Sequence, residues 1–190
     1  MKKIMFILMN RFLKKTKISF FSYLKGFENI SIGKKVKINH NVYLDCSNGG
    51  KIKLNDNVTL NHFCQLQARE GSISFGINSE MNNFSLIYSG GSNISIGNNV
   101  LIGPRVNIVG YSHTFSDKNI PIKEQECISK DINISDDVWI GSQCTIMPGV
   151  TIGRGSVVGA GSIVTKDLLP YTINFGNPCK KVKDRFKDNT

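Results

Sequence analysis

An all-β solenoid of short strands and sharp turns is the fold this 190-residue sequence predicts, and three observations carry the prediction. From Ile132 onward, apolar residues return at every sixth position: Ile134, Ile140, Ile146, Ile152, Val158 and Val164. A second row runs two residues upstream, through Ile132, Val138, Cys144, Val150, Ser156 and Ser162. Gly141, Gly153 and Gly159 directly follow three members of the first row, where a small residue permits a corner. Neither helical spacing of three and four nor plain strand alternation yields a strict six, whereas flat faces of six residues joined at corners do.

Taken in order, residues 1–28 read as a basic amphipathic helical segment. Lys or Arg stands at 2, 3, 11, 14, 15, 17 and 25, and no acid precedes Glu28. Lys3, Asn10, Lys14 and Lys17 fall on one helical row, and Phe6, Leu13, Phe20 and Leu24 on the opposite one. Such a helix suits two roles: peripheral contact with an anionic membrane interface, or capping and packing against the first coil of a solenoid. The apolar run Ile4 to Met9 is too short to span a bilayer, and no small-residue cleavage site follows it as in a signal peptide.

Residues 29–179 carry the solenoid. Its rhythm returns as Ile30, Val36, Val42 with Ile32, Ile38, Leu44; as Ile52, Val58 with Leu54, Leu60, Leu66; and as Ile94, Val100, Val106 with Ile96, Ile102, Ile108. It slips at Cys46–Gly50, at Ala68–Gly71 and around Asn82–Gly91, where Gly, Ser and Asn cluster as turn formers. The largest break, 109–130, is a polar insertion that the compact repeat predicts to be a protruding functional loop. Residues 180–190 read as a basic tail.

Composition bounds the rest. With 40% hydrophobic residues, 24 basic and 14 acidic side chains and a net charge of +10, the chain is one globular domain. At this length folding buries roughly 70% of the unfolded surface, so no disulfide or structural metal is needed. Disorder, collagen and coiled coil are excluded. Five cysteines without a C-x-x-C pair fit neither a disulfide framework nor a zinc cage, and predict a reducing, cytoplasmic setting. The basic excess comes with no nucleic-acid recognition motif.

Tandem hexads over about Ile30 to Arg185 resemble the hexapeptide-repeat acyltransferases, which implies a left-handed parallel β-helix. Four local segments sharpen the resemblance: Gly110-Tyr111-Ser112-His113 followed by Ile120-Pro121-Ile122; Ile134 with Val138-Trp139-Ile140-Gly141; Gly159 to Asp167; and Gly176-Asn177-Pro178-Cys179-Lys180. Together they are similar to the maltose/galactoside O-acetyltransferase branch and its polysaccharide-modifying relatives. The resemblance implies acetyl-CoA as cosubstrate, a saccharide acceptor, no required metal, and a homotrimer with sites between subunits.

The chemistry asks for a base near pH 7 as a hydroxyl attacks a thioester, and neutral imidazole suits that. Of the histidines His40, His62 and His113, only His113 lies in the insertion, and it matches the family's catalytic histidine. His40 and His62 sit in early hexads, where a solvated turn or face is expected. Asp117 could orient the imidazole, as could a backbone carbonyl. By resemblance, Gly141 and Ser142 supply the oxyanion donors, and Ser142, Ala160 and Thr165 line the pantetheine arm. Lys166, Lys180 and Lys183 stand where the coenzyme's phosphates are expected. Trp139, the single tryptophan, is expected to project outward, either as a wall of the acceptor or pantetheine site or as a subunit contact.

On the acceptor side, Asn82, Asn83 and Ser85 match the polar acceptor-binding segment. The acidic N-terminal helical region that closes the small-sugar pocket is missing from this pattern, which points to a surface polysaccharide or its precursor rather than a free small sugar. The competing readings are an N-acetyltransferase for a nucleotide-linked amino sugar, which depends less on a histidine base, a zinc enzyme on the same fold, and a non-catalytic scaffold. The histidines, 22 and 51 residues apart, lack the close ligand spacing that zinc would need.

Overall fold

The structure is a computed structural model that describes residues 2–186. Met1, at the start of the expected helical segment, and residues 187–190 of the expected basic tail lie outside the described residues. One helix, Lys2–Lys14, precedes a parallel β-solenoid, consistent with the left-handed β-helix of hexapeptide repeats. Its strands stack into nine-, seven- and six-stranded sheets that form the three faces of a prism, and a fourth, two-stranded sheet lies outside them.

Each coil lays one short strand on each face. Trp139–Ile140, Thr145–Ile146 and Thr151–Ile152 make one such coil. Its inward side chains Ile140, Ile146 and Ile152 have no exposed surface, nor do their stacked neighbours Val158 and Val164. The second row is equally internal, and where it turns polar the hydroxyls are satisfied: Ser156 Oγ donates to the Leu169 carbonyl at 2.6 Å and Ser162 Oγ to that of Gly159 at 2.6 Å. Phe75 is the bulkiest fully buried side chain, stacked between Leu54 and Ile96 in register.

The corners use a device that the sequence reading placed on the wrong residue. The left-handed backbone falls not on the glycine after the inward residue but two positions further on, at Asn41, Asn57, Asn78, Asn99, Arg105, Asp137 and Gln143, and Asn and Asp tolerate that conformation best after glycine. The preceding glycines answer to stacking. A Cβ on Gly141 would stand 2.6 Å from the Ala160 nitrogen, and one on Gly153 2.4 Å from the Pro170 nitrogen, so a side chain there would force adjacent coils apart. Asparagine ladders add lateral hydrogen bonds, Asn39 Nδ2 donating to Asn61 Oδ1 at 2.9 Å and Asn61 Nδ2 to Asn82 Oδ1 at 3.0 Å.

All variation in coil length sits on one edge of the prism. Trp139 stacks beneath Val157, a step of 18 residues and therefore three full hexads. Thr59 stacks beneath Glu80, a step of 21, the surplus lying at the turn that includes Ala68–Gly71. The slip expected around Asn82–Gly91 is narrower: Asn82–Ser85 is an ordinary corner with Phe84 left-handed, and the extra residues fall at Ser89–Ser92. Leu101 stacks beneath Trp139, a step of 38, because the long insertion leaves the chain on this same edge.

The solenoid starts earlier than residue 29. Its first strands are Lys17–Ile18 and Tyr23–Lys25, in register with Lys37–Ile38 and Tyr43–Asp45. The signal was present, since Ile18 and Leu24 are six apart and buried; Leu24 and Phe20 belong to this coil and not to a helix face. The helix lies across the open end, with Ile7 sunk into the core. Strand N–H groups bond forward to carbonyls of the next coil, as Tyr23 N does to Val42 O at 2.8 Å, while N–H groups near the corners bond back, as Cys46 N does to Lys25 O at 2.9 Å. The first coil is therefore left with outward carbonyls, and Lys3 Nζ donates to Ser22 O at 2.7 Å and Lys14 Nζ to Ile32 O at 2.6 Å. The basic row thus faces the solenoid, the reverse of a helix that simply buries its apolar side. At the other end the strands Thr172–Phe175 and Lys180–Asp184 pair antiparallel as a cap, so residues 180–184 are ordered strand and not free tail.

Candidate active site

The insertion leaves the solenoid as an antiparallel ribbon, Tyr111–His113 against Cys127–Ser129. Its base is pinned to the preceding coil. Lys130 N donates to Gly110 O at 2.8 Å and Gly110 N to Tyr88 O at 2.9 Å, while Ser129 Oγ bonds the Gly90 carbonyl. Tyr111 packs edge-on against Tyr88 at 4.9 Å and lies so close over Gly90 that a Cβ there would meet its ring at 2.6 Å. Further out, Gln125 Nε2 donates to the carbonyls of Asp117 and Ile120, both at 2.8 Å, which ties the loop tip together.

His113 ends the first ribbon strand with an exposed ring. Its Nδ1 lies 3.4 Å and its Nε2 3.8 Å from Cys127 Sγ, its register partner. Asp117 does not reach it: the Asp117 carboxylate accepts the Asn119 N–H at 2.8 Å in a local turn, and among the described residues no hydrogen bond joins it to the imidazole. The ring borders a cleft of about 470 Å³ whose walls include Phe115, Ile128, Lys130, Met147, Pro148 and Thr165. Of the residues expected at the site, His113 and Thr165 are brought together here. Met147 escaped the sequence reading because nothing in a hexad singles out an outward position, and Cys127 and Lys130 because the pairing of the insertion into a ribbon is not legible in sequence.

Gly141, Ser142, Ala160, Asn82 and Asn83 lie on a different edge. Ser142 and Asn83 share a second cleft of about 410 Å³ with Phe84, Pro104, Arg105 and Gln143. Gly141 N donates to Val158 O at 2.7 Å, so that N–H is committed to the coil ladder. The Ser142 carbonyl accepts the Gly161 N–H at 2.8 Å, and its own N–H has no partner among the described residues. Ala160 is the next rung above on this edge, within reach of Gly141. Asn82 is occupied by its ladder, accepting from Asn61 and donating to Ile102 O at 3.1 Å. Ser85, expected to meet an acceptor, is instead 1% exposed and faces the interior, donating to Gly103 O at 3.0 Å and accepting the Val106 N–H at 3.1 Å; the six-residue period places it in the inward row.

Trp139 projects outward and is half-exposed, in register between Leu101 and Val157. Lys166, Lys180 and Lys183 are exposed, and the ion pair of the terminal strand joins Lys181 to Asp184 at 2.6 Å. His40 and His62 stack on each other at 5.6 Å on the exposed corner of the early coils, where Ser19 Oγ lies 3.1 Å from His40 Nδ1.

Comparison with known proteins agrees with this architecture. Residues 131–166 match the family described as Bacterial transferase hexapeptide (six repeats). Galactoside O-acetyltransferase of Escherichia coli (strain K12) is 43% identical over 102 residues, 54% of this chain and 49% of that protein. A hexapeptide-repeat-containing acetyltransferase of Vibrio cholerae O1 biovar eltor, solved with acetyl coenzyme A, superposes with a TM-score of 0.61 at 32% identity, covering 70% of this chain and 73% of that one. The polySia-specific acetyltransferase NeuO superposes with a TM-score of 0.59 at 25% identity over 90% of this chain and 75% of its own. The chain spans less than half the length of the curated relatives it matches. Fold and sequence together define a hexapeptide-repeat solenoid of the transferase class. The chain belongs to the hexapeptide-repeat transferase family.

Proposed function

We propose that this protein is an acetyl-CoA-dependent O-acetyltransferase that modifies a hydroxyl of a saccharide, a surface polysaccharide or its precursor, with His113 as general base. The observation that carries the reading is the placement of His113 on a pinned ribbon at the mouth of a cleft that also holds Thr165. The imidazole tautomer with its proton on Nδ1, toward Cys127 Sγ, leaves Nε2 free to take the hydroxyl proton. The alkoxide oxygen then attacks the thioester carbonyl. As the tetrahedral intermediate collapses, the C–S bond breaks and the imidazolium returns the proton to the departing thiolate. The uncommitted Ser142 N–H is the oxyanion donor on this reading, and Lys166, Lys180 and Lys183 provide cations for the coenzyme's phosphates.

One chain holds these parts on two edges of the prism, His113 on one and Ser142 with Asn83 on another. This division supports a homotrimer in which each site is completed by a neighbouring copy. The test is CoA release from acetyl-CoA, followed with a thiol reagent, over a panel of hydroxyl-only and amino saccharides. Release with hydroxyl-only acceptors is expected; release confined to amino sugars would establish N-acetyl transfer instead.

A further inference from the structure

The outward face of the first helix carries six large apolar side chains, Ile4, Met5, Leu8, Met9, Phe12 and Leu13, each at least half-exposed, with Phe12 at 86%. Phe20 and Phe21 extend this face from the adjoining corner of the first coil. The helix already buries Ile7 and spends Lys3 and Lys14 on the open end of the solenoid, so these outward residues take no part in capping it. A face this apolar is unusual on a soluble chain and marks an interaction surface.

Charge identifies the partner. Residues 1–37 hold ten Lys or Arg and one acid, Glu28, a balance of +9 out of the whole chain's +10; the other 153 residues are close to neutral. Several of these cations rim the apolar face. Arg11 packs over the Phe20 ring at 4.8 Å. Exposed Lys15 directly follows the helix, and Lys35 is tied to its last turn through Lys35 N donating to Lys14 O at 2.8 Å. Lys17 and Lys37 are adjacent in register and also exposed. The acids nearest in sequence are exposed Glu28; Asp45, which is buried and paired with Arg69; and Asp56, whose Oδ1 accepts the Lys34 N–H at 2.7 Å. A helix of 13 residues is roughly 20 Å long, and no described helix is long and apolar enough to cross a membrane.

We infer that this end of the prism docks on the surface of an anionic phospholipid bilayer, with the apolar side chains of the helix and of Phe20–Phe21 seated at the headgroup boundary and the cationic rim on the lipid phosphates. The outward helix face points along the stack, away from the solenoid. The ribbon carrying His113 follows the fifth coil, roughly 20 Å from the first at about 4.8 Å per coil.

The experiment is vesicle flotation of the full chain, and it does not depend on catalysis. On phosphatidylcholine vesicles containing about 30% phosphatidylglycerol, binding is expected to exceed that on pure phosphatidylcholine by about tenfold and to weaken with added salt. The double variant Leu8→Ser/Phe12→Ser is expected to lose about tenfold in binding while its Tm stays unchanged, because both side chains point into solvent. Equal binding by the variant, or equal binding to the two vesicle types, would overturn the inference. So would a concentration-dependent increase in mass by light scattering that the double variant abolishes, without vesicle binding; that result would assign the face to a second copy of this chain.

Discussion

Across the ribbon of the insertion, the Cys127 sulfur stands 3.4 Å from Nδ1 of His113. Cys127 is the exposed cysteine of the five. Burial pushes the thiols of Cys46 and Cys64 up to about 11 and about 12, and raises those of Cys144 and Cys179. The native chain should therefore show one fast-reacting thiol in a chromogenic thiol titration and the remainder only after denaturation. N-ethylmaleimide should inactivate the wild type and leave whatever activity Cys127→Ala retains untouched, because the adduct fills the space beside the imidazole. Equal inhibition of both proteins would separate this sulfur from the reaction.

Removal of the imidazole tests the base itself. His113→Ala is expected to lower turnover by about 10²- to 10⁴-fold, the usual share of general acid–base catalysis. The exposed ring contributes nothing to the solenoid core, so the circular dichroism melting curve should not move. Turnover near wild type would exclude His113 as the base.

Coenzyme phosphates make a different demand. Lys166→Ala should raise the KM for acetyl-CoA more than it lowers kcat, since charge–phosphate contacts hold ground state and transition state alike. A KM that stays put would mean that the phosphates lie elsewhere on the late coils.

Stability should depend on pH through Asp45. Its side chain is fully buried, and burial alone would raise its pKa. Hydrogen bonds from Ser47, from Arg69 at 3.0 Å and from the Tyr43 hydroxyl at 2.9 Å outweigh that and hold the carboxyl well below the usual carboxylate range. A carboxyl with a depressed folded pKa stabilises the fold above its unfolded value of about 3.9 and loses that contribution as pH falls below it. Asp45→Asn should cost about 1–3 kcal/mol at neutral pH, leaving donors poorly matched. The difference in Tm between the two proteins should narrow as pH drops below about 4; a difference constant from pH 7 to pH 3 would exclude the carboxylate's charge as its source.

The stacked part of the molecule was legible because burial and sequence period coincide there. Every sixth residue from Ile134 to Val164 is internal, and no tertiary information is needed to see it. The first coil was obscured because Ile18 and Leu24 lie in a stretch whose lysines and phenylalanines also fit a helical period. The corners misled for another reason: glycine after the inward residue suggests a backbone need, whereas Gly141 answers to a neighbouring coil 18 residues away that a local reading does not weigh. Ser85 shows the cost of carrying a motif over by position alone, since its place in the inward row was countable from Met81 and Ile87. The pairing of His113 with Cys127, and the division of the candidate site between two edges, depend on how the ribbon folds back and which edge each corner occupies. Neither leaves a mark in the hexads.

Because surplus residues are confined to a single edge, the three sides of the prism do different mechanical work. Two edges, locked by asparagine ladders and by glycines that admit no side chain, set the pitch like the fixed rails of a ladder. The third accepts no extra residues, three, or twenty without disturbing the rungs above or below. New chemistry can therefore be grafted, lengthened or exchanged at that edge as a self-contained appendage, and the ribbon bearing His113 is the largest of its outgrowths in this chain.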